Sequence, residues 1–205
     1  MKPVSLVSRT QLLVEGHDAQ RFFQAFLNHC QRAHVQVQNF GGISELGPFL
    51  KALSLMPGFR STVTTVAVIR DAEASAQAAW QSAASSLKSA GLTAPPSPAC
   101  FSTSTPRTGI FILPDNQSAG TLETLCLQSV QTDPALPCVG QFMQCVAQAG
   151  FPLPASIGQA DKRRVQAFLA SRDKPGLRLG EAAEKGYWPF NQAAFAALRS
   201  FCQGL

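Results

Sequence analysis

The stretch from Val63 to Ile69 constrains this chain more than any other. It reads Val63-Thr64-Thr65-Val66-Ala67-Val68-Ile69, β-branched almost without a break. The alternation that one wet face would impose is missing. Such a strand is covered on both faces, as in a parallel sheet sandwiched between helices. It runs directly into Arg70-Asp71-Ala72-Glu73, so a charged segment follows the most buried one.

The flanking segments fit the same architecture. Gln11 to Val14 predicts a short strand stopped at Glu15-Gly16, with Asp18 placed to cap a helix whose inner face is Phe22, Phe23, Phe26 and Leu27. Val35 to Val37 predicts a second strand, ended by a glycine turn at Asn39-Phe40-Gly41-Gly42. Ser44 is the expected N-cap of a helix with Leu46, Phe49, Leu50 and Leu53 turned inward, closed by Met56-Pro57-Gly58. A helix is expected from about Ala74 to Ala90, then a loop or irregular edge strand over 93–108. Gly109 to Leu113 predicts a fourth buried strand. Helices are expected over 120–130, 139–149, 160–171 and 192–201. The fold class is therefore α/β, a Rossmann-like parallel sheet of about four strands covered by helices, with a helical C-terminal part. The division expected is a core over 1–130 and a helical extension over 131–205 packed on it, or one domain over 1–205.

The bulk properties exclude several classes. The chain has 205 residues with 17 Lys and Arg against 12 Asp and Glu, a formal charge of +5, yet only 14% of residues are charged. Contact with nucleic acid is allowed, but no dense basic tract demands it. Six cysteines show neither a C-x-x-C pair nor zinc spacing, and are expected to be mostly buried thiols in a reducing cytoplasm. No apolar run reaches the ~20 residues of a membrane span, and no signal peptide is evident, so a soluble cytoplasmic protein without a membrane partner is expected.

In an open parallel sheet, chemistry gathers beyond the carboxyl ends of the strands. The residues there are Glu15, Asn39 to Gly42, Asp71 with Glu73, and Asp115 with Asn116. Three of these four exits carry carboxylates. On extended chain, Asp71 and Glu73 would point the same way. Crowded carboxylates repel unless protonated or neutralised by a cation, and Mg²⁺ (or Mn²⁺), hard and oxygen-seeking, is the usual solution. The competing reading is that each acid merely caps the helix that follows it.

Two motifs here carry a family likeness. Leu12-Leu13-Val14-Glu15-Gly16-His17-Asp18 resembles the first motif of the Toprim (topoisomerase–primase) domain, a hydrophobic strand ending in Glu-Gly. Val66-Ala67-Val68-Ile69-Arg70-Asp71-Ala72-Glu73 resembles the second, a strand ending in Asp-x-Asp, and the Phe40-Gly41-Gly42 turn lies between them. Phe111 to Asn116, followed by Gly120-Thr121-Leu122-Glu123, is similar to small stand-alone Toprim proteins and to the Toprim part of overcoming-lysogenization-defect nucleases. The resemblance implies that Glu123 joins the acidic site and that a later lysine, here Lys162, approaches it. It departs from the family at Glu73, where a second aspartate is usual.

What the resemblance implies is Mg²⁺-dependent hydrolysis of nucleic-acid phosphodiesters. Asp71 and Glu73 would hold the ion and Glu15 would bind metal or move a proton. Glu123 with Asp115 would complete a second metal site, and Lys162 would face the charged transition state. His17, Arg70 and Arg163 are candidate phosphate contacts; a charge-balancing role explains Arg70 equally well, and a first-turn histidine and a solvated helix face are the commoner explanations of His17 and Arg163. DNA or RNA is the expected partner, with a partner ATPase or a homodimer as further candidates. The rival is a non-catalytic Toprim module that binds metal, nucleotide or a partner protein in a regulatory or defence system. A receiver-like phosphoryl-transfer domain is a third reading, but it leaves Glu15-Gly16 unexplained. Topoisomerase chemistry is disfavoured because the one tyrosine, Tyr187, sits in an aromatic cluster suited to packing.

Overall fold

The computed structural model describes residues 3, 5–152 and 154–205. Four strands, β1 (Thr10–Glu15), β2 (Gln36–Gly41), β3 (Thr65–Asp71) and β4 (Arg107–Leu113), form one sheet in the order β2-β1-β3-β4. Every neighbouring pair is parallel, with Leu12 beside Val37, Leu13 beside Val68 and Asp71 beside Leu113. All four carboxyl ends therefore lie at one edge.

The uninterrupted apolar strands find their reason in two cores. Leu12, Val14, Ala67, Ile69, Phe111 and Leu113 face one apolar cluster, while Leu13, Val66, Val68, Ile110 and Ile112 face the other. The second layer is built by α2 (Leu46–Ser54) and α4 (Ala76–Ser89), through Phe49, Leu50, Leu53, Ala83 and Leu87. The first is built by α1 (Gly16–His29) and later helices: α5 (Leu122–Ser129), α7 (Ile157–Ala170), α8 (Leu179–Glu184) and α9 (Ala196–Gln203). Phe168, Trp188 and Phe201 share one cluster with Leu12 and Val14, so residues past 130 bury the same sheet face as the first helix. Trp188 is 1% exposed, and Phe190 packs edge-on against Phe22 and Phe26, which is the packing role expected of the aromatic cluster.

Several local expectations are corrected. β2 continues through Phe40 and Gly41, so the glycine pair does not form a separate turn before the strand ends. Ser44 lies inside a 3-10 turn, Ile43–Glu45, instead of capping α2. Asp18 does not cap α1, which already begins at Gly16; its Oδ1 accepts from Gly180 N, 3.2 Å away in the first turn of α8. Helices α3 (Phe59–Thr62) and α8 were not anticipated, being four and six residues long. The helix α6 (Ala135–Gln148) starts four residues before the expected Val139. Cys126 and Cys202 are buried, but Cys100, Cys138 and Cys145 are exposed, against the expectation of mostly buried thiols; all six are free.

One cap is placed where a capping residue should matter. Ser75 Oγ accepts from Ala78 N at 3.2 Å at the start of α4. Ser75→Ala should cost about 1 kcal/mol. That lowers Tm by roughly 2–4 °C in a domain of this size, measurable by calorimetry; an unchanged Tm would remove the cap from the stability account.

Candidate functional site at the carboxyl edge of the sheet

Glu15 ends β1 and stands at the N-cap position of α1. The turn from strand to helix is held by Asn39 on β2, whose Oδ1 accepts from Gly16 N and Gly41 N, each at 2.8 Å. Gly16 has φ +85°, a left-handed turn that lets the chain reverse directly behind the glutamate. Neither role for Asn39 was anticipated; the only signal was its place at a strand exit.

Asp71 closes β3, and its Oδ1 accepts from Leu122 N, 2.9 Å away in the first turn of α5. The next position, Glu123, lines the same cavity as Glu15, Gly16, His17, Asp71 and Lys162, a space of about 250 Å³. Glu73 arrives by a different route from the one its spacing suggests. β3 ends at Asp71, and Glu73 takes φ +52°, a conformation costing an ordinary residue about 1–2 kcal/mol. Simple alternation along extended chain therefore does not relate the two acids. Instead Glu73 exchanges two 2.9 Å backbone hydrogen bonds with Gly120, the turn leading into α5. Its carboxylate is brought against the first turn of α7: a Cβ on Gly158 would lie 3.3 Å from Glu73 Oε2 and 2.9 Å from Thr121 Cγ2. Asp71, Glu73, Glu123 and Lys162 line a second, adjoining cavity of about 300 Å³.

The electrostatics follow from burial first and crowding second. Burial pushes the Asp71 carboxyl well above the usual range, Glu123 and Glu15 push it further, and the hydrogen bond from Leu122 opposes them. Burial also raises Glu15, with Arg70 pulling back and Glu73 adding to the rise. Glu15 Oε2 is buried without a hydrogen-bond partner. A buried carboxylate oxygen of this kind calls for a proton or a cation. Oxygen donors are the ligands a hard divalent cation prefers, and Mg²⁺ needs only one or two carboxylates beside its waters. Among the described residues no group of three His, Cys, Asp or Glu is placed to hold a metal ion unaided. An all-protein cage is therefore not formed among the described residues, and any divalent ion here would keep several of its waters.

Asp71 has a consequence for stability. A carboxyl raised in the folded state above its unfolded value favours folding at low pH. That contribution is lost as pH rises through the folded pKa. Asp71→Asn keeps an oxygen acceptor for Leu122 N and never ionises. The variant should be more stable than the parent at pH 7 without metal, by on the order of 1 kcal/mol. The gain should fade below about pH 4, where the unfolded aspartate also protonates. Thermal melts across pH in chelator test this; a lower Tm for Asp71→Asn at pH 7 counts against it.

The other candidates divide. His17 is exposed on the first turn of α1 and lines the smaller cavity, and Lys162, exposed on α7, lines both. Arg70 also borders the smaller cavity, but β3 alternation turns it toward α4, where Nη1 donates to Ser82 Oγ at 3.1 Å and Nε stays buried without a partner. Burial lowers its pKa while Glu15, Asp71 and Glu73 oppose that fall. Two residues are not brought to the site. Asp115 is exposed in the turn after β4, where its carboxylate accepts from Gln117 N, Ser118 N and Ser118 Oγ. Burial raises its pKa, but these hydrogen bonds together outweigh it and hold the group low, as in a turn-capping aspartate. Arg163 points to the Pro152 carbonyl, 3.3 Å away, and lines neither acidic cavity.

Sequence reasoning missed the struts behind the acids. Thr124 Oγ1 accepts from Thr121 N at 3.0 Å and donates to Asp161 Oδ2 at 2.6 Å. Asp161 is 6% exposed, so this contact ties α7 to the start of α5 within the fold. Gly120 is obligatory beside it: φ is +144° and a Cβ would stand 2.8 Å from Thr124 Oγ1.

The fold and site define an α/β protein with a four-stranded parallel sheet and four carboxylates at its carboxyl edge. The chain belongs to the family described as "Protein of unknown function (DUF3226)", whose sequence profile matches residues 9–205. Comparison with curated proteins and with solved structures returns no match.

Proposed function

We propose that this protein is a metal-dependent hydrolase of nucleic-acid phosphodiester bonds, with a Toprim-like use of the carboxyl edge of its sheet. The observation that carries the reading is the convergence of Glu15, Asp71, Glu73 and Glu123 from three separate segments, with Lys162 facing them across open cavities. Four acids meeting there are costly for folding, Arg70 and the Leu122 N–H offset only part of that cost, and a bound cation or proton would relieve the rest.

In this reading Asp71, with one neighbouring glutamate and the ion's own waters, would hold Mg²⁺ or Mn²⁺, which when bound would neutralise charge on a phosphate oxygen. Glu15, raised by burial and carrying an unpartnered oxygen, holds or releases a proton beside the reacting phosphate. Lys162, on the exposed rim, attracts the phosphate and offsets charge in the transition state. Asn39 keeps Glu15 in place through Gly16.

A second reading, a non-catalytic module that binds metal, nucleotide or partner, draws on two observations. Asp71 already accepts from Leu122 N, and Glu73 sits left-handed against α7, so both acids also serve the fold. Incubation with single- and double-stranded DNA and RNA in Mg²⁺ or Mn²⁺, with and without chelator, separates the two: cleavage stopped by chelator supports hydrolysis, and metal or nucleotide binding without turnover supports the module. No helix among the described residues is long and apolar enough to cross a membrane. Action in the cytoplasm, as monomer or homodimer or with a partner ATPase, belongs to the same proposal; light scattering distinguishes the first two states.

A further inference from the structure

The acidic cavities are not the end of the open space. A larger cavity, about 540 Å³, starts at Asp18, Glu123 and Lys162 and runs along α7 to Gly176 and Arg178. Its floor is apolar, made by Val165, Leu169 and Leu179, all buried. Its rim carries Lys162, Gln166 and Arg178, all exposed. Among the described residues neither Lys162 nor Arg178 has an ion-pair partner within 4.0 Å.

This arrangement selects its ligand by chemistry. The acidic end takes a phosphate only through a cation, and Lys162 and Arg178 on the rim attract negative charge along the groove. The apolar floor suits a flat, weakly polar body, and Gln166 can donate to and accept from its edge. A nucleotide unit combines these parts, and the space is that of a small-molecule pocket, not of a duplex channel. A base inside a duplex has both faces stacked and its edge bonded, so it reaches such a pocket only after leaving the helix. An unpaired base offers its face freely.

We propose that this groove seats an unpaired base of the strand whose phosphate lies over Glu15, Asp71 and Glu123, so that the substrate is single-stranded nucleic acid. The assignment rests on the nucleic-acid reading above. The mutation that addresses it is Ala170→Trp, which fills the groove from an exposed position at the end of α7. Binding is measured by fluorescence anisotropy on the full chain. The probe is a short fluorescein-labelled DNA of mixed sequence, single-stranded or annealed to its complement, with Ca²⁺ in place of Mg²⁺ to separate binding from turnover.

The single strand should bind at least about tenfold more tightly than the duplex. Ala170→Trp should weaken single-strand binding by at least about tenfold, with Tm unchanged. If that variant melts early, Gln166→Trp, one turn back on the same wall, takes its place with the same expectation. Equal affinity for both forms, or tryptophan variants that bind the single strand as well as the parent, overturns the assignment. Cleavage in Mg²⁺ is scored separately. An inert chain that still selects single strands through the groove refutes hydrolysis and keeps the groove. A cleaving chain indifferent to the tryptophan keeps hydrolysis and refutes the groove.

Discussion

Asp71→Asn and Glu15→Gln are each expected to reduce Mg²⁺-dependent cleavage of nucleic acid by at least about 10²–10³-fold while leaving the protein folded. The two substitutions remove charge and keep shape. In Asp71→Asn the new amide retains an oxygen for Leu122 N, so the start of α5 stays where Asp71 holds it. At the end of β1, Glu15 contributes a buried, unpartnered oxygen and no side-chain cap of α1, so its loss leaves the strand-to-helix turn to Asn39. The informative contrast is between activity and stability. Activity should collapse while the Asp71→Asn melting temperature at neutral pH rises, because burial first, and repulsion from Glu123 and Glu15 second, disfavour the charged carboxylate. Retention of full activity by both variants would sink the hydrolytic assignment. Loss of activity with loss of the folded circular-dichroism spectrum would move both acids into the structural account.

The largest stability effect outside the apolar cores is expected at Gly180. A Cβ there would stand 2.5 Å from the Asp18 carbonyl oxygen and 2.8 Å from Arg21 Cβ. Neither neighbour can swing away, since both belong to α1, which is fixed by Phe22, Phe23 and Phe26 in the core. Gly180→Ala should therefore push α8 off α1 and cost about 2–3 kcal/mol. In a domain of this size that corresponds to a Tm drop of roughly 5–10 °C. Gly186, where an added Cβ meets nothing within 4 Å but φ is +76°, is the useful control, since alanine there tests backbone strain without crowding. A Gly180→Ala protein that melts with the parent would show that α8 can retreat at little cost. Because Asp18 and Leu179 border the cavities, that retreat should also widen the groove and weaken ligand binding.

Much of the fold was legible from residue order alone. The strands β3 and β4 were recognisable because each carries apolar residues on both faces, a pattern suited to a covered parallel sheet, while β1 showed as a short apolar run stopped at Glu15-Gly16 and β2 as an alternating run ended by glycines. The strand exits followed from that, and with them Glu15, Asp71 and Glu73. Glu123 and Lys162 were legible only through the family resemblance, since nothing in the local pattern of α5 or α7 distinguishes them from solvent-facing helix positions. The failures have a common cause. Asp115 looked like Asp71 from its position after a strand, but the next residues decide its fate: Gln117 and Ser118 offer donors, and the carboxylate folds back on them. Short helices such as α8 carry too few residues for a periodic signal, and α8 is held by contacts with α1, some 160 positions earlier in the chain.

The acidic edge shows where the two sources of information part. By itself the sequence determined that a both-faces-buried strand would run into Asp71, and that a second would run into Glu15, because hydrophobic patterning is a local property. Whether those acids meet, and what they meet, is a matter of contacts between distant segments. The left-handed turn at Glu73, its pairing with Gly120 and the close approach of Gly158 carry that carboxylate to α7. The Thr124–Asp161 contact ties α7 to α5, which brings Lys162 and Glu123 to one cavity. The groove beyond them is the space left between α7, Asp18 of α1 and the start of α8, and such space has no residue pattern of its own.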